Sequence, residues 1–236
     1  MTMERKKRSY DQQCALAYAL DVVGERWTLL IIRELLHGPR RYRELLDALP
    51  GIGTNLLAAR LASLVDAGVL APTEPRRRTG GYMLTDLGRS LHEPILGLSR
   101  FGMAHTTLHG ARPGATVRAS WAVLAIEAMV DAERAPEVDE TYQFEVDAET
   151  FHVQVSAGQV EVRSGPAVDP TLTVRADANS FFRVGMRQLD PIEALVSGAV
   201  AVEGVPAAVT RCLRLIGLMN DVATPGRSAA LGPATA

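Results

Sequence analysis

The chain has 236 residues, 47% of them apolar, and a formal net charge of −2 at neutral pH. That is enough for two ordinary domains with buried cores, and too apolar for a disordered protein. No run of about 18 apolar residues occurs, so no membrane span is expected. The basic start MTMERKKRSY has no apolar stretch behind it, which argues against export, and two cysteines without metal-ligand spacing, Cys14 and Cys212, fit a reducing cytoplasm. The charge is divided unevenly: residues 1–112 carry 16 Lys/Arg against 11 Asp/Glu, and residues 113–236 carry 9 against 16. The first half can face phosphates and the second cannot do so easily.

In chain order, Cys14 to Val23 predicts a short helix ended by Gly24. Glu25 to Leu36 puts Trp27, Leu30, Ile31, Leu35 and Leu36 on one helical face, stopped by His37-Gly38-Pro39. Tyr42 to Leu49 repeats the pattern before the Pro50-Gly51 turn, and Thr54 is a fitting N-cap for a helix through Ala67 with an inward stripe of Leu57, Leu61, Leu64 and Val65. Val69-Leu70 and Tyr82-Met83-Leu84 read as short strands flanking APTEPRRRTGG, a polar hairpin that projects. An amphipathic helix is expected from Thr85 to about Leu108 with a kink at Pro94, and then a linker over 109–114.

Beyond the linker the pattern predicts a helix from Val117 to Ala132. Three alternating strands follow, carrying Tyr142, Phe144 and Val146, then Phe151, Val153 and Val155, then Val160 and Val162, with tight turns at 147–149 and Ala157-Gly158. Leu172 and Val174 mark a fourth strand, Asp177 to Val184 a capped helix, Pro191 to Ser197 another, Val200 to Glu203 a fifth strand and Pro206 to Leu218 a last helix. Residues 224–236 are expected to be a disordered tail.

Three helical segments followed by an arginine-rich hairpin are what a helix-turn-helix with a β-wing needs. The recognition helix must turn short polar side chains at its N-terminal end toward base edges, which singles out Thr54, Asn55, Ala58 and Arg60; the same helix start can equally sit on a phosphate. Arg76, Arg77 and Arg78 on the wing, with Tyr82 at its base, suit phosphate or minor-groove contact, and Arg40, Arg41, Tyr42 and Arg43 suit the DNA backbone. The basic run Arg5 to Arg8 fits either a DNA arm or a frayed end.

Cys14, GERWTLLIIREL (24–35), RYRELLDALPGI (41–52), NLLAARLASLVDAGVL (55–70) and YMLTDLGRSL (82–91) together resemble the HxlR family of winged helix-turn-helix transcriptional regulators. The resemblance implies a homodimer paired through terminal helices, reading a palindromic double-stranded operator with half-sites about one turn apart. It also implies that Cys14 stands where some members carry a redox-sensing thiol. Phe101 departs from the family, in which a Trp is expected near the end of the dimer helix.

The run PTLTVRADANSFFRVGMRQLDPIEALVSGAVAVEGVPAAVTRCLRLI (170–216) resembles the sterol carrier protein 2 fold. That fold implies helices over an antiparallel sheet around an apolar cavity. Candidate lining residues are Trp121, Met129, Phe144, Phe151, Val153, Phe181, Phe182, Met186, Leu195, Leu213 and Ile216. A filled core that only stabilises the dimer is the alternative.

No nucleophile elbow, phosphate loop or metal-ligand set is apparent and the five histidines are scattered, so no catalysis, metal or cofactor is expected. The expectation is an α+β protein. A winged helix-turn-helix domain over 10–108 binds operator DNA, most simply as a repressor, and an SCP2-like domain with an antiparallel sheet over 115–220 senses an apolar small molecule. Two rivals stay open: a small-molecule carrier that keeps the winged helix as a dimerisation scaffold, and a thiol regulator acting through Cys14.

Overall fold

The helical apolar spacing of the first half and the alternating spacing of the second fold as separate units in the computed structural model, which describes residues 9–74, 80–109 and 114–219. The units are Met1–Leu98 and Ser99–Ala236. Arg5 to Arg8, Arg76, Arg77 and Arg78, and the tail expected from residue 224 lie outside the described residues.

In the first unit α1 (Ala15–Val23) ends at Gly24. Helix α2 (Thr28–Leu35) starts three residues later than the periodicity predicts, because Trp27 takes a left-handed backbone with φ of 80° and breaks the pattern begun at Glu25. A two-residue strand β1 (Arg40–Arg41), not foreseen, precedes α3 (Tyr42–Ala48), and α4 (Thr54–Asp66) follows. The N-cap of α4 is Gly53, so Thr54 is the first helical residue rather than the cap.

Strands β2 (Leu70–Pro72) and β3 (Gly81–Leu84) complete a small antiparallel sheet ordered β1-β3-β2. Only glycine fits at position 81, because a Cβ there would stand 2.7 Å from the Arg40 carbonyl oxygen of the neighbouring strand. Ile31, Ile32, Leu35, Leu45, Leu57, Leu61, Leu64 and Leu70 form the buried interior of this unit.

The expected helix from Thr85 is broken earlier than at Pro94. Thr85 accepts a hydrogen bond from the Gly88 N–H and caps α5 (Asp86–Arg89), the chain turns at residues 90–91, and α6 (His92–His109) takes Pro94 into its first turn. A proline there costs nothing, since that N–H would have no helical partner anyway.

The second unit takes in α6 from Ser99 onward and continues with a 3-10 turn at Ala119–Trp121 and α7 (Ala122–Met129), a later start than Val117. Strands β4 (Glu140–Val146), β5 (Glu149–Ser156) and β6 (Gln159–Ser164) form an antiparallel meander. Ala157 and Gly158, with φ of 49° and 74°, supply the two left-handed residues that a two-residue hairpin of this twist needs.

Residues 165–171 then carry the chain back to the start of β4, where the Thr171 N–H donates to the Thr141 carbonyl at 2.8 Å. Strand β7 (Leu172–Ala176) therefore runs parallel to β4, with Tyr142 opposite Leu172. The sheet, ordered β6-β5-β4-β7-β8, is thus mixed rather than wholly antiparallel.

Helices α8 (Ala178–Gly185), capped by Asp177, and α9 (Pro191–Val196), capped by Asp190, precede β8 (Val200–Gly204) and α10 (Pro206–Leu215). The core joins Ile126 of α7, Tyr142, Phe144, Phe151, Val153 and Leu172 of the sheet, and Ala208, Cys212 and Leu215 of α10. On the sheet, Arg175 of β7 pairs with Glu145 of β4 at 2.7 Å and with Glu203 of β8 at 2.8 Å, tying three strands together.

Candidate nucleic-acid interface and apolar cavity

Thr54, Asn55 and Ala58 stand exposed at the first turn of α4. This is where four backbone N–H groups lack helical partners and the helix dipole is positive. The Tyr42 hydroxyl donates to the Thr54 carbonyl at 2.8 Å and so fixes the start of α4 upon α3. Arg41 and Arg43 are exposed at the opening of α3, whose first turn is closed by the Arg41 N–H donating to Glu44 Oε2 at 2.6 Å. Arg40 is half-buried, with its Nε donating to the Glu34 carbonyl at 3.0 Å, and it lies opposite the half-buried Tyr82 in the β1–β3 register.

Arg60 does not join this group. Its guanidinium pairs with Glu25 at 2.7 Å and donates to the Arg26 carbonyl at 3.2 Å. Helical geometry carries the reason: at 100° per residue, six residues from Thr54 is roughly 240° round the axis, whereas four is only about 40°. Glu25, the partner, was not singled out in the sequence, since its distance along the chain left no local signal. Cys14 is exposed at the N-cap of α1.

Within the second unit, α7 to α10 and the β4, β7 and β8 strands enclose a cavity of about 70 Å³. Of the candidate residues, Met129, Phe144, Phe181, Leu195, Leu213 and Ile216 line it. Trp121, Phe151, Val153, Phe182 and Met186 do not. Phe151 and Val153 are fully buried in β5, where Phe151 stacks on Phe144 at 5.3 Å between ring centres, so their inward side chains meet protein rather than space. Trp121 sits half-buried in the turn ahead of α7.

Leu172, Val174, Val200 and Val202 on β7 and β8 were missed as walls, though their alternation already marked those strands. The cavity is smaller than the roughly 150 Å³ engineered site that accommodates benzene. An occupant larger than that must part α8, α9 and α10.

The lining is apolar apart from the Cys212 thiol. Burial, together with the nearby Glu140 charge, pushes that thiol up to about 12, so it stays protonated and is no nucleophile. Near it the buried Glu140 carboxylate accepts from Tyr142 at 2.5 Å and from Arg211 Nε at 2.9 Å, and also takes a second Arg211 hydrogen bond. Burial alone would raise the Glu140 carboxyl, but the Arg211 and Tyr142 hydrogen bonds outweigh it and hold the group below the usual range. Burial and the Glu140 charge raise the Tyr142 phenol. This arrangement ties the start of β4 to α10.

The His152 ring, half-buried on the other face of β5, bonds the Gly165 carbonyl at 2.9 Å. Among the described residues no cluster of His, Cys, Asp or Glu fits a metal ion, and no helix is long and apolar enough to cross a membrane.

A family model of the HxlR-like helix-turn-helix matches residues 22–109, and one of the SCP-2 sterol transfer family matches residues 123–215. The chain is 34% identical over 93 residues to the uncharacterized HTH-type transcriptional regulator sll1512 of a Synechocystis species, covering 38% of this chain and 67% of that protein. It is 40% identical over 83 residues to the uncharacterized HTH-type transcriptional regulator YvaP of Bacillus subtilis, covering 34% of this chain and 74% of that one. Against the uncharacterized HTH-type transcriptional regulator Mb3122 of Mycobacterium bovis, 42% identical over 88 residues and 36% of this chain, it spans about half the relative's length, 54%.

Proposed function

We propose that this chain, which belongs to the HxlR-like helix-turn-helix family and carries an SCP-2 domain, is a cytoplasmic homodimeric repressor whose affinity for a palindromic operator is set by an apolar small molecule. The observation that carries the DNA-binding part is the exposed start of α4. Thr54, Asn55 and Ala58 are exposed there, Arg41 and Arg43 are exposed at the opening of α3, and the Tyr42 hydroxyl joins the two helix starts through the Thr54 carbonyl. Short side chains read bases, and the cations and the helix start hold phosphates.

Exposed apolar side chains support dimerisation. Leu16 and Leu20 on α1 are 66% and 37% exposed, and Leu98 and Phe101 on α6 are 53% and 71% exposed. Large apolar side chains left in water at helical spacing are what a partner subunit covers. Phe101 offers an aromatic ring there as a Trp would, less the N–H.

The apolar cavity supports the effector part, since each methylene removed from water contributes about 0.8 kcal/mol. A ligand changes operator affinity only to the extent that it prefers one arrangement of the dimer. Selection of duplexes from a random pool, followed by titration of the selected operator with and without medium-chain apolar compounds, tests the reading. Unchanged affinity with every compound that binds the protein would defeat the effector role, and absence of any duplex binding would favour the carrier reading. The thiol reading retains the exposure of Cys14, and an oxidant response that survives Cys14→Ser would remove it.

A further inference from the structure

The apolar cavity has a neighbour. A second cavity of about 250 Å³ shares with it the wall formed by Met129, Gly185, Ile216 and Leu218. The second cavity is of different character: its remaining lining includes Arg100, Met103 and Arg187, and no carboxylate. Arg100 Nε donates to the Ala128 carbonyl at 3.0 Å, and Arg187 Nη2 to the Gly217 carbonyl at 2.6 Å. A guanidinium has five N–H donors, so each of these two groups is anchored by one bond and keeps others for a ligand. Arg134 also stands beside Gly217, its charge met by Asp131 at 3.0 Å. All of these residues belong to the unit Ser99–Ala236.

We propose that the second cavity is a head-group site, and that the pair takes an amphiphile whose hydrocarbon end enters the apolar cavity while its anionic end lies between Arg100 and Arg187. The inference rests on the apolar-ligand reading above and adds the charge of the ligand to it. The division of labour follows from the linings. The apolar cavity offers an ionised group no donor beyond the weak Cys212 S–H, so an anion inside it would lose most of its hydration uncompensated. A neutral hydrocarbon would use the inner cavity and leave the arginines to water. Only a molecule with both ends uses both. Arg100 and Met103 lie on α6, so the head group would touch the same helix whose first residues belong to the DNA-binding unit.

The test compares octanoate with 1-octanol at pH 8, both below the concentrations at which they aggregate, on the full chain carrying 13C-methyl methionine. The Met103 signal reports the second cavity and the Met129 signal the wall that both share. Octanoate is expected to bind about tenfold more tightly than octanol, the size of a charge-assisted hydrogen bond discounted for solvent exposure. Arg187→Gln and Arg100→Gln should each erase that preference while octanol affinity stays as it was, and Arg187→Lys should restore part of it. Equal binding of the two compounds, or equal losses for both in Arg187→Gln, would overturn the head-group site and leave the apolar-ligand reading standing. If neither compound shifts Met129, the apolar reading itself fails and this inference falls with it.

Discussion

The two units put their candidate chemistry on opposite sides of their cores. In the first, a packed interior of Ile31, Ile32, Leu57 and Leu61 holds Thr54, Asn55 and Ala58 outward, and the candidate site is surface. In the second, the candidate site is the interior: Phe144, Phe181 and Leu213 line the cavity, and the first two also pack in the core. A surface site can change a residue without unfolding anything, whereas each change to a wall residue is also a change in packing. The two sites should therefore separate cleanly under mutation, and the following measurements sharpen or break that contrast.

The largest effect should come from the wing. Replacing Arg76, Arg77 and Arg78 together by Ala should weaken operator binding on the order of 100-fold, with thermal stability unchanged. The logarithmic dependence of affinity on salt should also become shallower, by about 0.9 for each phosphate that the variant no longer neutralises. An unaltered salt slope in filter binding or anisotropy would exclude the wing from the phosphates.

Next is Arg211→Ala, which strands the Glu140 carboxylate beside α10 and should cost the second unit about 2 kcal/mol of stability. The same group makes this unit acid-sensitive. A carboxyl held below its unfolded value contributes stability above the ordinary carboxylate range, and that contribution is lost as pH falls through the lowered value. Denaturation melts of Glu140→Gln should be flatter with pH in the acid range, and equally steep melts would show that other carboxylates carry the effect.

Filling the cavity with Val209→Phe should lower the affinity for apolar compounds by at least about tenfold at a modest stability cost, leaving operator binding intact. Concurrent loss of both would mean that the units are less independent than their cores indicate. The smallest effect belongs to Tyr42→Phe. It removes one hydrogen bond to Thr54 and should weaken operator binding about threefold.

The same contrast explains what could be read from the residues alone. Helices whose apolar stripe repeats every three to four residues and ends at a glycine, such as α4, were legible, because burial imposes that period. Strand β1 was not, since two arginines carry no alternation; what makes them a strand is the β3 backbone, brought close by Gly81. The break before α6 was misplaced at Pro94 because a proline signals a stop only when it interrupts an established helix.

Among site residues, exposed positions at the start of α4 follow directly from their spacing, whereas residue type alone, without the helical angle, does not tell that Arg60 turns toward Glu25. The cavity walls were harder for a deeper reason. Alternation tells which side chains point inward, so Phe144 and Phe151 look alike. Which of them meets a void depends on how α7 to α10 come together, and no single segment encodes that.

The two outermost strands of the larger sheet, β6 and β8, carry paired opposite charges. Glu161 and Arg163 lie 2.6 Å apart on β6, and Glu203 on β8 is held by Arg175. Unsatisfied strand margins are sticky, and they invite neighbouring molecules to zip together into fibres. Here such zipping would have to desolvate charges on either flank. The charges thereby disfavour zipping at both margins of the sheet.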